Sequence, residues 1–487
     1  MTTVTLRVVS DTRNAIDRFF AISARGSTVS REVRGGIATF FTMAYIVVLN
    51  PLILANGKDV DGQFIADGST PPVALVAAGT AFVAGVLTIL MGVVGRVPFA
   101  MAAGLGLNAF VTFQIATVMT WEEAMGLVFL EGIIIAVLVL TGLRTAIFHA
   151  IPAQLKTAIS VGIGLFIALI GFVDSGFVRK AAGTPLELGI GGSLTSWPIF
   201  VFIVGLLATA AMVARKVKGA ILIGIVGTTI LAIVVEAIVK AGAFSPQNPA
   251  GWQLNRPVVP DQLFGFHNPL VLFTEFDPFG GFVRVDVLLA ALLVFTLLIT
   301  DFFDTMGTIV GVGRQANLVQ EDGTLPRTRE ILLVDSLGAA AGGAGSVSSN
   351  TTYIESAAGV GEGARTGLAS VVTGLLFLVA IFFAPLVTVV PYEAAAPALV
   401  LVGFLMMTAI RDVDWNDFEI AIPAFLTIVI MPFTYSISNG IGAGFISYVL
   451  VKVVRGKARE VHPLLWGVAV LFALYFAIGP IRAMLGL

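Results

Sequence analysis

Apolar residues occur along this chain in runs of about twenty, separated by short polar stretches, from Gly36 to Pro480. An α-helix of that length spans the hydrocarbon core of a bilayer. The runs are continuous, whereas the strands of a membrane barrel alternate between apolar and polar positions. The pattern therefore predicts an all-α polytopic membrane protein.

The apolar runs form two series of seven, separated by a connection at 242–285 that is rich in Pro, Asn, Gly and aromatic residues. The predicted spans are 36–55, 72–94, 98–118, 124–142, 151–173, 197–214 and 219–239, then 286–309, 329–344, 346–362, 366–389, 392–410, 418–435 and 438–454. Because seven is odd, the two halves have opposite orientations, which predicts an inverted repeat. A further apolar run at 464–481 either crosses the membrane or lies on its surface.

The third span of each half differs from the others. The segments 97–113 and 344–361 are short and rich in small and polar residues, which favour caps and turns over helix interiors. We expect each to be a short extended piece followed by a half-helix, starting near Leu105 and Thr351. The amino termini of the two half-helices would face each other near the membrane midplane, where they suit a polar ligand.

Three carboxylates lie inside otherwise apolar segments. They are Asp301, Asp304 and Glu355. A charge at the bilayer centre costs about 2.5–3.5 kcal/mol on insertion scales, so such residues mark a substrate, ion or proton site. Asp301 and Asp304 are three residues apart, which predicts one helical face. The structural alternative is that one of them caps a broken helix or binds a backbone N–H.

One of these acids has a candidate role of its own, and three further polar residues within the spans are candidates. Glu355 is a candidate proton carrier, and Asn108 occupies the corresponding turn of the first half-helix, where its amide offers both a donor and an acceptor. Asn108 could instead serve only in helix packing. Glu131 and Asp335 are further intramembrane acids, which we expect to bond neighbouring helices more often than a ligand.

Composition and charge narrow the function further. Of the 487 residues, 57% are hydrophobic and 12% are charged, and the net charge of −2 gives no signal for nucleic acid. The chain has no cysteine and three histidines, so thiolate and iron–sulfur sites are excluded and a histidine-based metal site is improbable. Most of the Lys and Arg residues fall in loops on the side of the Arg-rich amino terminus, which predicts a cytoplasmic amino terminus.

Four sequence strings carry a resemblance to a known family. They are TFFTMAYIVVLNP (39–51), AAGLGLNAF (102–110), DFFDTMGTIVGV (301–312) and NTTYIESAAGVGEGARTGL (350–368). Together they resemble the nucleobase:cation symporter (nucleobase–ascorbate transporter) superfamily, and its AzgA-like branch of adenine–guanine–hypoxanthine permeases in particular. Asn350 departs from the family pattern, which more often has a small residue or Val there.

The resemblance implies proton-driven symport of purine bases across the cytoplasmic membrane by an elevator-like mechanism. It implies fourteen spans in two seven-span repeats, divided into a core and a gate domain, and a homodimer formed through the gate. The segments implied are a cytoplasmic amino-terminal segment (1–35), core (36–142), gate (143–241), an extracytoplasmic connection (242–285), core (286–389), gate (390–456) and a carboxy-terminal apolar segment (457–487).

The resemblance also assigns the site. The residues implied to bind substrate are Asp301, Asp304, Glu355, Asn108, Thr351, Thr352, Ser356 and Phe302. The proton carrier is expected to be Glu355 or Asp304, and no cofactor other than the proton is expected. A planar purine with ring N–H donors suits carboxylate acceptors and aromatic neighbours.

Four alternatives compete with purine symport. A uracil or xanthine carrier of the same fold is the main one. An anion exchanger is weaker because three acids disfavour an anionic substrate. An intramembrane enzyme lacks a nucleophile motif, a phosphate loop or a metal cluster, and a passive channel fits broken helices less well than alternating access does.

Overall fold

A computed structural model describes residues 15–66, 68–142, 150–181, 183–259, 262–274, 276–320 and 325–485 of the chain. Ten helices in these described residues are long and apolar enough to cross a membrane. Helices occupy all the positions predicted from the hydrophobic pattern, with the two short third spans built differently. The prediction of an all-α membrane protein is confirmed.

The described residues of the first half form nine α-helices. They are α1 (Ala15–Phe20), α2 (Val29–Met43), α3 (Ile46–Leu54), α4 (Val73–Leu90), α5 (Leu105–Phe110), α6 (Trp121–Thr141), α7 (Ala153–Asp174), α8 (Trp197–Ala214) and α9 (Ala220–Val239). The π-helical turns Met91–Gly95 and Val111–Ile115 extend α4 and α5. The first span begins at Val29 rather than at residue 36, because the Thr28 side chain caps it by accepting a hydrogen bond from Arg31 N.

The second half repeats this plan. Its helices are α10 (Gly280–Arg284), α11 (Val287–Gln315), α12 (Thr328–Ala344), α13 (Ser356–Gly361), α14 (Gly367–Ala380), α15 (Tyr392–Met407), α16 (Phe418–Phe433), α17 (Ile437–Val454) and α18 (Pro463–Leu485). The 3₁₀ turns Ile381–Val389 and Thr408–Asp412 extend α14 and α15. The last helix, α18, packs on α17 and α11.

Four short strands complete the described structure. They are β1 (Met101–Ala103), β2 (Val178–Arg179), β3 (Glu187–Leu188) and β4 (Asn350–Thr352). Strands β2 and β3 form a small hairpin between α7 and α8. Strands β1 and β4 pair antiparallel and join the third spans of the two halves. The predicted extended piece followed by a half-helix is therefore present in both broken spans.

The start of the second half-helix differs from the prediction. The first half-helix begins at Leu105 as expected, but the second begins at Ser356 and not near Thr351. Thr351 is in β4, where it pairs with Ala102 and is thereby kept out of the helix. Glu355 is consequently the residue immediately before the half-helix and not a residue one turn inside it.

The helices group into two bundles. One bundle contains α7, α8, α9, α15, α16 and α17, and the other contains α2 to α6 together with α11 to α14. Small residues allow close approach: a Cβ added at Gly132 of α6 would lie 2.3 Å from Ala340 N of α12. The grouping follows the predicted core and gate sets, whose boundaries along the chain stay a prediction.

Candidate functional site

The two-stranded ladder of β1 and β4 forms the scaffold of the site. Its backbone pairing continues at both ends, where Gly104 N donates to Ser349 O (2.9 Å) and Tyr353 N donates to Ala100 O (2.9 Å). Non-helical backbone at membrane depth has to be satisfied by protein because lipid offers no hydrogen bonds. The ladder meets this requirement and holds the residues after each strand in fixed positions.

Asp304 and Glu355 bring two carboxyl groups near each other. Asp304 lies in the middle of α11, yet it is exposed, and Glu355 beside α13 is partly exposed. The two carboxyl groups are close enough to interact electrostatically. Ile354, the residue before Glu355, is 54% exposed and adds apolar surface next to that acid in the chain.

Tyr45 fixes the position of Glu355. Its hydroxyl donates a hydrogen bond to Glu355 Oε1, and its ring is almost completely buried at the junction between α2 and α3. This residue was not predicted to have a role. The only signal for it in the sequence is that Tyr45 falls within TFFTMAYIVVLNP, one of the four matching strings.

Asn108 brings an amide group to the site from the other half of the chain. It lies on α5, which contacts α11, and it is fully buried. Neither its Nδ2 nor its Oδ1 has a hydrogen-bond partner in the described residues, and Thr351 Oγ1 has none apart from the Asp304 carboxyl group. Buried polar atoms are usually paired, so the unpaired Asn108 amide points to a ligand.

Asp301 does not share the surroundings of Asp304. Three residues along an α-helix correspond to a rotation of about 60° between side chains, which is enough to place the two acids on different sides of α11. Asp301 is fully buried and accepts hydrogen bonds from Thr305 Oγ1 (3.2 Å) and Ser349 Oγ (3.4 Å). The two acids of the predicted pair therefore differ in their surroundings. Asp304 is exposed, whereas Asp301 is buried inside the bundle that contains α2 to α6 and α11 to α14.

Three further candidates have structural partners. Thr352 Oγ1 donates to Asp335 Oδ1 (3.0 Å), and Ser356 Oγ accepts from Ala100 N (2.9 Å). Phe302 is 1% exposed. These side chains are therefore packed behind the site, while the side chain of Phe303 lies outside the described residues.

The arrangement suits a flat, neutral ligand with N–H donors. Two carboxylates offer acceptors, the Asn108 amide offers a donor and an acceptor, and Ile354 offers apolar contact. The described residues contain no group of three or more His, Cys, Asp or Glu side chains placed to hold a metal ion.

Known proteins match the chain over most of its length. A model of the Xan_ur_permease family, described as a permease family, matches residues 30–443. The guanine/hypoxanthine permease PbuG of Bacillus subtilis (strain 168) is 37% identical, over 94% of this chain and 98% of the relative. The adenine permease AdeQ of Escherichia coli (strain K12) is 35% identical, over 96% of this chain and 97% of the relative.

Solved structures show the same fold at low sequence identity. The transmembrane domain of a cyanobacterium bicarbonate transporter, BicA, matches with a TM-score of 0.55 and 14% identity, over 88% of this chain and 97% of that domain. The structure of SLC26A9 matches with a TM-score of 0.56 and 12% identity, over 88% of this chain and 66% of that chain. The predicted inverted-repeat fold with core and gate is confirmed as the fold class, and the exact number of spans stays a prediction.

The family match and the relatives agree with the sequence motifs. Both cover both halves of the chain, including the two broken spans and the acids of α11. The protein is therefore a transporter and not an enzyme. It is a multi-pass membrane protein that belongs to the Xan_ur_permease family, within the nucleobase–ascorbate transporter superfamily.

Proposed function

We propose that this permease takes up purine nucleobases (adenine, guanine and hypoxanthine) together with protons. The observation that carries the proposal is the juxtaposition of two acids, Asp304 and Glu355, neither of which is fully buried. The relatives are named guanine/hypoxanthine and adenine permeases and match the chain almost end to end. A purine has ring N–H groups that donate to carboxylates, and ring nitrogens that accept from an amide.

In this proposal Glu355 is the main acceptor for the purine. Tyr45 holds the carboxyl group in place, and Asp304 supplies a second acceptor from α11. Asn108 contributes an amide without a partner among the described residues, and Thr351 contributes a hydroxyl beside the Asp304 carboxyl group. Glu355 or Asp304 takes up the proton, which neutralises the site before it moves, because an uncompensated charge in the membrane is costly.

The transport step in this proposal is a movement of the core bundle against the gate bundle. Asp304, Glu355, Asn108 and the strand ladder all belong to the core bundle. They would therefore move together with the bound purine and proton. No cofactor other than the proton takes part. The amino terminus is proposed to be cytoplasmic, in the cytoplasmic membrane, and the protein to be a homodimer that pairs through the gate.

The proposal is tested by uptake of radiolabelled adenine, hypoxanthine, guanine, xanthine and uracil into cells that lack their own permeases. Wild type and Glu355→Gln are compared with and without a protonophore, with Glu330→Gln as a matched control at the surface end of α12. Protonophore-sensitive purine uptake that fails only in Glu355→Gln is the expected result. Uptake of uracil or xanthine in preference to adenine, guanine and hypoxanthine would assign the chain to the other substrate class.

A further inference from the structure

A second group of acids lies behind the strand ladder. Glu131 on α6, Asp301 on α11 and Asp335 on α12 are each at most 1% exposed, and we call them the buried acid cluster. Thr305 Oγ1 lies 3.2 Å from Asp301 Oδ1 and 3.1 Å from Asp335 Oδ1. A hydroxyl has a single proton, so it can donate to only one of the two carboxylates at a time.

The Glu131 carboxyl group is the unusual member. It lies beside the carboxyl group of Asp301 and near Ser349, with Asp335 as a further negative neighbour. Apart from Asp301 and Ser349, its oxygens have no hydrogen-bond partner among the described residues. Two carboxylates in contact away from water cannot both be ionised, as the paired acids of aspartic proteases illustrate. A proton shared between Glu131 and Asp301 would remove the repulsion between the two carboxyl groups.

The third acid is held in place by hydrogen bonds. Asp335 Oδ1 accepts from Thr352 N (3.2 Å) and Thr352 Oγ1 (3.0 Å) and is within reach of Thr305 Oγ1. Asp335 also connects the buried acid cluster to strand β4, since Thr352 is the last residue of that strand.

We propose that Glu131 and Asp301 together form a proton site of the transporter that is separate from the purine-binding acids. The proton comes from water at the exposed Asp304, whose carboxyl group interacts with Asp335. It passes by way of Asp335 and Thr305 to form an O–H bond in the Glu131–Asp301 pair. It returns to water on the other side by the reverse path, so that no proton is gained or lost by the protein.

Two acidic side chains face Glu131 from the neighbouring helices. Asp301 faces it from α11 and Asp335 from α12. On its own helix, Glu123 lies two turns away and accepts a hydrogen bond from Nε of Arg284 (2.6 Å), the last residue of α10. The Glu123 carboxyl group is therefore paired with Arg284 and not with the buried acid cluster. Protonation of the cluster would act on the purine site through β4, because Thr352 is followed directly by Tyr353, Ile354 and Glu355.

This inference rests on the proposed proton-coupled uptake, and the experiment separates the two. Purified protein in proteoliposomes is assayed for purine accumulation driven by a pH gradient and for exchange of external labelled purine against internal purine without a gradient. One proton per purine gives at most about tenfold accumulation per pH unit. Wild type lacking any gradient-driven accumulation would refute the proposed function itself.

The variants then test the buried acid cluster. Because the proton on Glu355 or Asp304 remains, Glu131→Gln is expected to retain exchange but to accumulate less purine per pH unit than wild type, with release of fewer protons per purine to an enclosed pH dye. Glu131→Asp, which keeps the carboxyl group, should restore most of the accumulation, and Glu330→Gln serves as the matched control. Accumulation in Glu131→Gln equal to that of wild type would overturn the inference. So would a monodisperse, folded Glu131→Gln protein that has lost exchange and accumulation alike, because that result assigns Glu131 a structural role.

Discussion

Replacing Tyr45 by Phe removes one hydroxyl and leaves the rest of the site in place. The Tyr45 ring is almost fully buried, and Phe fills the same volume, so no cavity and no overpacking are created. What is lost is the hydrogen bond from the hydroxyl to Glu355 Oε1. Glu355 then keeps its place beside α13 but loses the donor that orients its carboxyl group.

The size of the effect follows from the exposure of Glu355. A hydrogen bond to a charged group contributes about 1.5–3 kcal/mol, and its loss costs most when the group left behind is buried. Glu355 is partly exposed to water, which can replace the Tyr45 hydroxyl, so the lower limit applies. We therefore expect purine affinity to fall about tenfold, since 1.4 kcal/mol corresponds to a factor of ten.

Binding of a labelled purine to purified wild type and Tyr45→Phe measures this effect directly. Tyr448→Phe is the matched control, because Tyr448 is a buried tyrosine on α17 in the other bundle. The control should bind as wild type does, and both variants should keep the size-exclusion profile of the wild type. Equal purine affinity in Tyr45→Phe and wild type would show that Glu355 is not oriented by Tyr45 for binding.

Two further substitutions test the packing. Gly132→Ala should lower the free energy of unfolding by about 1–3 kcal/mol, because the new Cβ meets Ala340 N, whereas Gly227→Ala faces open space and should stabilise slightly or have no effect; thermal unfolding compares them. Glu236→Leu should lower the melting temperature by the equivalent of about 2 kcal/mol, because it leaves the buried Trp252 Nε1–H without its acceptor (2.8 Å). Glu236→Gln, which retains an acceptor, should lose less, and equal melting of the two would refute this reasoning.

The sequence predicts the helices of this fold well because a bilayer imposes one length and one composition on each span. The broken spans were also predictable, since Ser, Thr, Asn and Gly in a membrane segment disfavour a continuous helix. The start of α13 at Ser356 was not predictable, because Thr351 is extended through its pairing with Ala102 from the other half of the chain. Local sequence carries no information on such a long-range partner.

The candidate site was predicted less completely than the fold. Glu355, Asp304 and Asn108 were identified because polar groups in apolar segments are costly without a purpose. The separation of Asp301 from Asp304 depends on the rotation of α11, which is set by packing against α6, β4 and α13. Tyr45 was missed because a tyrosine in a membrane span is unremarkable until its hydrogen-bond partner is known.

The pairing of β1 with β4 has a consequence for how the protein is made. The two strands belong to opposite halves of the chain, so Met101–Ala103 leaves the ribosome long before Asn350–Thr352 does. Backbone N–H and C=O groups without partners are costly in lipid. The newly made first half should therefore remain incompletely inserted, or held by an insertion factor, until the second half arrives. Expression of the first half alone should yield an aggregating or rapidly degraded fragment, and co-expression of both halves as separate chains should rescue it.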